Sequence, residues 1–169
     1  MDNLVKAFLM DLGTTMGEAV QEIAETMLFV EIEPGSIVTD ASDLALDYCA
    51  TIQFSDGIQG VFCLIALQRS ALKLASALMG EERLEMDVEM DDAFKEVANM
   101  VAGGLVTRVE GRHGSVNMTP PLLMRDGSHP GGSDEQEWLR VHHKFALDGV
   151  PFCAELALLR SFVMQKVQA

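Results

Sequence analysis

The order of predicted elements is repeated within the chain, and this duplication restricts the fold more than any other feature. Residues 18–25 (EAVQEIAE) align without gaps on residues 92–99 (DAFKEVAN), an offset of 74 positions. An Asp-Gly pair followed by Arg-Ser also recurs, first as Asp56-Gly57 with Arg69-Ser70 and then as Asp148-Gly149 with Arg160-Ser161. Each half therefore predicts a helix, strands, a hairpin and a short helix, which together make a pseudo-twofold α+β domain.

Apolar periodicity places the long helices and the hairpins. Spacings of three and four residues predict an amphipathic helix over about 3–28 and a second over about 91–110. Alternating apolar residues predict strands on both sides of each Asp-Gly pair, with the second hairpin over about 138–147 and 150–158. Asp-Gly favours a tight hairpin because both central positions must tolerate positive φ.

Local signals add the remaining boundaries. Pro34-Gly35 is predicted to break the chain after the first helix. Ser70 is predicted to cap the next helix and Gly80 to end it. Residues 115–124 are predicted to be extended around a Pro-Pro pair, and Arg160 is predicted to open a short terminal helix.

Length and charge limit the classes of partner. The 169 residues predict one domain over 1–169, and 26 acidic against 12 basic side chains give a formal net charge of −14. Nucleic acid and anionic membrane surfaces demand clustered Lys and Arg, so neither is expected as a partner. The apolar run at 61–67 is too short to span a bilayer, and residues 1–3 do not begin a secretory signal. A cytoplasmic protein is predicted.

Neither the cysteines nor the histidines predict a metal site. Cys49, Cys63 and Cys153 are far apart in the sequence and have apolar neighbours, which favours reduced, packed thiols over a reactive nucleophile. The four histidines lack metal-ligand spacing, and His142-His143 is better interpreted as two faces of one strand. No metal is expected on this chain.

One face of the second long helix carries polar side chains. Asp92, Glu96, Asn99 and Gly103 fall on a narrow stripe that faces away from the apolar side. A solvated helix surface would give the same periodicity. However, Asn and Gly are costly inside a helix, and a glycine one turn beyond Asn99 would let another protein's backbone approach. A helix end or kink at Gly103-Gly104 is the alternative explanation for the glycines.

The spacing on this stripe resembles a family signature. Asp92, Glu96 and Asn99 are followed, after 21 residues, by Pro121. The chain resembles the CheC/CheX/FliY family of chemotaxis phosphatases, whose signature is Asp or Ser, three residues, Glu, two residues, Asn, and about twenty-one residues to a Pro. The resemblance implies two long helices packed on a mainly antiparallel sheet.

The first half departs from this signature. CheC-like members carry two Glu-x-x-Asn sites, whereas the earlier helix has Glu22 and Glu25, with a carboxylate in place of the amide. An ionised carboxylate cannot donate a hydrogen bond and would repel a phosphoryl group. A single active site on a duplicated scaffold is most similar to CheX. A second departure is Gly104, which stands where many members have Asn.

The resemblance implies hydrolysis of the aspartyl phosphate on a CheY-like response regulator. Asn99 would orient the attacking water, Glu96 would dock to a lysine of the regulator, and Asp92 would support the binding face. Mg²⁺ would belong to the regulator, so no cofactor is expected on this chain. The resemblance also implies a homodimer built partly by sheet edges. The alternative is a non-catalytic binding module, such as a flagellar-switch-like scaffold or an adaptor that sequesters the phosphorylated regulator.

Overall fold

The computed structural model describes residues 1–39, 47–128 and 137–169. The helices in these ranges are α1 (Asn3–Ile23), α2 (Gln68–Met79), α3 (Val88–His113) and α4 (Arg160–Gln168). A π-helical segment, Ala24–Leu28, continues α1, so helical structure extends to the predicted end of the first helix. The strands are β1 (Glu33–Val38), β2 (Tyr48–Asp56), β3 (Gly60–Ala66), β4 (Val116–Met118), β5 (Leu122–Met124), β6 (Trp138–Leu147) and β7 (Val150–Leu159).

The strands form one antiparallel sheet with internal twofold symmetry. Its order is β1-β6-β7-β3-β2-β4, and β5 also pairs with β2. When the two halves are exchanged, β6 replaces β2, β7 replaces β3, and the order is the same in reverse. The fold is therefore the predicted duplicated α+β domain, in which the first half's β1 pairs with the second half's β6.

The long helices cover one face of the sheet. The buried side chains of α1 and α3 join those of β2, β3, β6 and β7 in a continuous core that includes Leu12, Met16, Phe62, Phe94 and Val97. A smaller apolar cluster on the other face contains the three cysteines. All three are unoxidised and buried, as the sequence predicts. Burial raises the pKa of Cys153 to about 12 and that of Cys63 well above its usual value, so these thiols stay protonated at neutral pH.

Two predicted boundaries were wrong. Pro34-Gly35 lies inside β1 and does not break the chain, because β1 is an edge strand whose register shifts between Pro34 and Ile37. Ser70 does not cap α2, since that helix begins at Gln68, whose amide donates to Asp47 Oδ2 at 2.9 Å. The Ser70 hydroxyl instead donates to the Pro151 carbonyl at 2.7 Å and ties α2 to β7.

Both predicted hairpins are present, but their turns differ. Asp148 and Gly149 have φ values of 51° and 75° and form a two-residue loop between β6 and β7. Asp56 also has positive φ, at 72°, but Gly57 does not lie in the left-handed region. The loop between β2 and β3 is longer than the loop between β6 and β7. A glycine is needed at position 57 for lack of space, because a Cβ there would lie 2.4 Å from the carbonyl oxygen of Gly114.

The other boundaries follow the predictions. Gly80 ends α2 with φ 71°, the residues around Pro120-Pro121 form β4 and β5, and Arg160 begins α4. The alternation that predicts the strand before Asp56-Gly57 begins at Leu44, so the first residues of that predicted strand lie outside the described residues. None of the described helices has the length and apolar composition that crossing a membrane requires.

Candidate active site

Helix α3 is the element that carries the predicted site, and it is continuous from Val88 to His113. Its N-cap, Asp87, accepts a hydrogen bond from the Met90 amide at 2.8 Å, and Arg112 lies in the last turn, where it complements the helix dipole. The helix passes through Gly103 and Gly104. The glycines therefore do not mark a helix end.

The two sides of α3 are sharply different in burial. Phe94, Val97 and Val101 are buried in the core. Asp92 and Glu96 are exposed, and Asn99 and Gly103 are half-buried. The structure therefore brings the four predicted residues onto one accessible face, which we call the α3 stripe (Asp92, Glu96, Asn99 and Gly103).

The two central side chains of the α3 stripe have no internal partner. Within the described residues, neither the Glu96 carboxylate nor the Asn99 carboxamide makes a side-chain hydrogen bond or an ion pair. Residues three apart on a helix are surface neighbours, with Cβ atoms about 5–6 Å apart. An acceptor-only group and a group that both donates and accepts are thus side by side and available to a partner.

Asp92 differs from these two because it is already paired. Its Oδ1 lies 2.9 Å from the ammonium of Lys95, one helical turn further along α3. Lys95 was not identified from the sequence, although an acidic residue followed by a basic one at i+3 is a recognisable helical pair. The pair places a cation at the border of the α3 stripe.

The adjacent glycines of α3 have different surroundings. A Cβ on Gly104 would lie 3.5 Å from the Cβ of Ala19 on α1, so this glycine faces the other long helix. A Cβ on Gly103 would meet no atom within 4 Å. Packing within the described chain therefore does not account for a glycine at Gly103.

Two of the matching positions on α1, Glu18 and Glu22, are engaged internally. Arg108 of α3 forms an ion pair and hydrogen bond with Glu22, donates to the Gly104 carbonyl at 3.0 Å, and has its Nε 3.9 Å from a Glu18 oxygen. Glu25 is exposed. The carboxylate that corresponds to Glu96 is thus used to hold α1 against α3, whereas Glu96 itself is free.

A further pair connects the segment that contains Pro121 to the start of α3. Pro121 directly precedes β5, and Arg125 directly follows it. Nη2 of Arg125 lies 2.6 Å from Oδ2 of Asp91, a buried carboxylate without a well-aligned hydrogen bond. Burial, together with the Asp91 charge, raises the pKa of Tyr48 nearby. The sequence did not reveal this pair, because 34 positions of chain separate its members.

The histidines in the described ranges have structural contacts. His142 bonds to Glu155 within the sheet, and Nδ1 of His143 lies 3.0 Å from the Gly13 carbonyl oxygen of α1. The two side chains thus point to opposite faces of β6, as predicted. No group of three potential metal ligands occurs in the described part of the chain.

Comparison with known families identifies the relatives of this arrangement. A family model described as chemotaxis phosphatase CheX matches residues 48–137, which is more than half of the chain. The chain belongs to the CheX family of chemotaxis phosphatases. The match includes all of the α3 stripe and Pro121. A search of curated protein sequences found no match.

Solved structures share the fold at low sequence identity. CheX from Vibrio vulnificus is 17% identical, with a TM-score of 0.74, and the match covers 87% of this chain and 99% of that one. CheX from Borrelia burgdorferi, solved in a complex with CheY, BeF₃ and Mg²⁺, is 22% identical, with a TM-score of 0.71 and coverage of 87% and 96%. FliY from Thermotoga maritima is 17% identical, with a TM-score of 0.73 and coverage of 98% and 94%. These similarities support the CheX-type fold.

Proposed function

We propose that this protein hydrolyses the aspartyl phosphate of a CheY-like response regulator. The observation that carries the proposal is the free Glu96–Asn99 pair on the accessible face of α3, at the spacing of the family signature. Membership of a chemotaxis phosphatase family supports the reaction class. The Borrelia burgdorferi relative's complex with CheY supports the partner class.

Asn99 is the proposed catalytic residue. Phosphoryl transfer needs an in-line nucleophile and stabilised charge more than it needs covalent help, so a group that orients one water can be sufficient. The carboxamide of Asn99 offers an acceptor to the water's proton and donors to a phosphoryl oxygen. Its lack of an internal hydrogen bond leaves both functions available.

Glu96 and Gly103 are the proposed docking residues. The Glu96 carboxylate would pair with a lysine in the regulator's phosphorylation pocket and thereby set the position of Asn99. The open space at Gly103 would admit the regulator's backbone, and Asp92 would support this face through its ion pair. Mg²⁺ would be held by the regulator's acidic pocket, so the proposal assigns no cofactor to this chain.

Assembly and location are also part of the proposal. We expect a homodimer built partly through sheet edges, and the edge strands that could pair are β1 on one side and β4 with β5 on the other. We also expect the protein to act in the cytoplasm.

A binding module without turnover is the competing function. The similarity to FliY in fold favours keeping this alternative, because the fold alone does not distinguish the two functions. The free Asn99 favours catalysis, since a scaffold gains nothing from a carboxamide that is held beside Glu96.

A phosphate-release assay separates the two functions. Each receiver from the same genome would be phosphorylated with acetyl phosphate and mixed with wild-type protein or Asn99→Ala. We expect faster phosphate loss from at least one receiver, and we expect Asn99→Ala to abolish this acceleration while binding stays measurable. Unchanged release with Asn99→Ala would contradict the mechanism. Binding without accelerated release from any receiver would favour the adaptor.

A further inference from the structure

Lys95 lies at the edge of the α3 stripe, about one helical turn before Asn99. Successive helical residues are about 100° apart, so Lys95 is displaced by about 40° from Asn99 around the axis and lies four residues before it. Helical side chains lean toward the N-terminus, so the carboxamide of Asn99 extends over the turn that contains Lys95. The Lys95 side chain leans the same way, and its ammonium reaches Asp92, so it borders the α3 stripe on the N-terminal side of Glu96.

Asp92 holds this cation in place without using all its donors. The ammonium lies 2.9 Å from Asp92 Oδ1, and the Lys95 side chain is 31% exposed. An ammonium has three donors, so two remain after one is given to Asp92. Lys95 can contact an additional anion on the α3 stripe while the ion pair persists.

The negative charge around the site indicates how a cation there could affect binding. Asp92 and Glu96 both carry negative charge on the α3 stripe, and the whole chain has a net charge of −14. A phosphoryl group brings about two further negative charges to the same place. The regulator's own lysine and Mg²⁺ would offset part of this charge, and a cation on the α3 stripe would further reduce the repulsion from Asp92 and Glu96.

We propose that Lys95 contacts the phosphoryl group of the regulator and makes this surface prefer the phosphorylated over the unphosphorylated partner, with Asp92 as the residue that positions it. The inference rests on the proposed function and names how the same surface would recognise its substrate. Lys95 is here a specificity-determining residue, and the water-orienting role stays with Asn99.

The test measures binding of a CheY-like receiver, with and without BeF₃⁻ and Mg²⁺, by NMR titration. Charge-assisted hydrogen bonds to phosphoryl-type oxygens are strong, so Lys95→Gln should weaken binding of the loaded receiver by about tenfold. It should change binding of the unloaded receiver by less than about twofold. Lys95→Arg should restore most of the preference, because it keeps the charge.

Lys73→Gln is the matched control. Lys73 also pairs with an aspartate, at 3.3 Å from Asp148, but it lies on a different helix, α2, and its partner lies in the turn between β6 and β7. This variant should bind the loaded receiver as wild type does. An equal loss for loaded and unloaded receivers, or no loss with Lys95→Gln, would overturn the proposal for Lys95 while leaving phosphate release intact. If wild-type protein neither binds nor dephosphorylates any receiver, the proposed function itself fails.

Discussion

Single side chains distinguish the proposed active surface on α3 from the matching surface of α1. Glu22 and Glu96 occupy matching positions, yet Glu22 is held by Arg108 while Glu96 is free. The sequence shows Glu25 three positions after Glu22, and Asn99 three positions after Glu96. The replacement of the amide by a carboxylate on α1 could therefore be predicted. The Arg108 contact could not, because it joins residues 86 positions apart that meet only when α1 packs on α3.

Gly103→Ala tests whether the open position on α3 serves a partner. Alanine in a helix interior is more stable than glycine by about 0.5–1 kcal/mol, and the new Cβ would meet nothing within the described chain. We therefore expect a higher free energy of unfolding in urea. Binding of a BeF₃⁻-loaded receiver should fall by about tenfold, because the methyl group would occupy the space for the regulator's backbone.

Gly111→Ala provides the control on the same helix. A Cβ at Gly111 also meets no atom within 4 Å, but it lies two turns beyond Gly103. This variant should show the gain in stability with unchanged receiver binding. Equal receiver binding by the two alanine variants would count against a docking role for Gly103.

The helices and strands were predictable where their pattern is local. The period of α1 and α3 and the alternation of the hairpin strands gave the type and order of the elements. The errors arose where a distant contact decided the outcome. Pro34 is accepted in β1 because that strand is an edge. The Ser70 hydroxyl does not bond to a helix amide, because it is directed to the Pro151 carbonyl of β7 at 2.7 Å, with the Leu67 carbonyl 3.1 Å away.

Gly17→Ala tests the close packing of α1 on β6. A Cβ at Gly17 would lie 2.2 Å from the His143 ring, which is fixed by the Gly13 carbonyl and by stacking on Phe145 at 4.4 Å between centroids. The ring cannot retreat without losing both contacts, so we expect the free energy of unfolding to fall by about 1–3 kcal/mol.

Urea unfolding followed by circular dichroism measures this change, with Gly111→Ala as the same substitution at an open helical position. That control should be neutral or stabilising. A Gly17→Ala protein as stable as Gly111→Ala would contradict the close contact between Gly17 of α1 and the His143 ring of β6.

The molecule as a whole carries a charge that limits how it can find its partner. A net charge of −14 would oppose the approach of an acidic phosphorylation pocket at long range, so the proposed recognition depends on short-range contacts at the α3 stripe. The pseudo-twofold sheet was predictable from the repeat, but the exchange of β1 into the second half was not. Sequence similarity between the halves predicts which helices and strands each half contains, but it does not specify how the strands of the two halves pair.

The ionic-strength dependence of receiver binding tests this picture. At about 0.15 M salt the Debye length is about 8 Å, so net repulsion is largely screened while short contacts persist. We expect the Kd to change by less than about threefold on going from low salt to about 0.15 M, or to improve. Strong weakening by salt would indicate long-range attraction and would contradict docking through the α3 stripe.

The most direct test of the central claim is the single-turnover rate of phosphate loss from a receiver that is saturated with this protein. Saturation removes any difference in binding, so the rate reports the alignment of the attacking water. Loss of that alignment in Asn99→Ala should slow the step by on the order of 100-fold, to the receiver's own rate. An Asn99→Ala rate within about twofold of the wild-type rate would contradict the account.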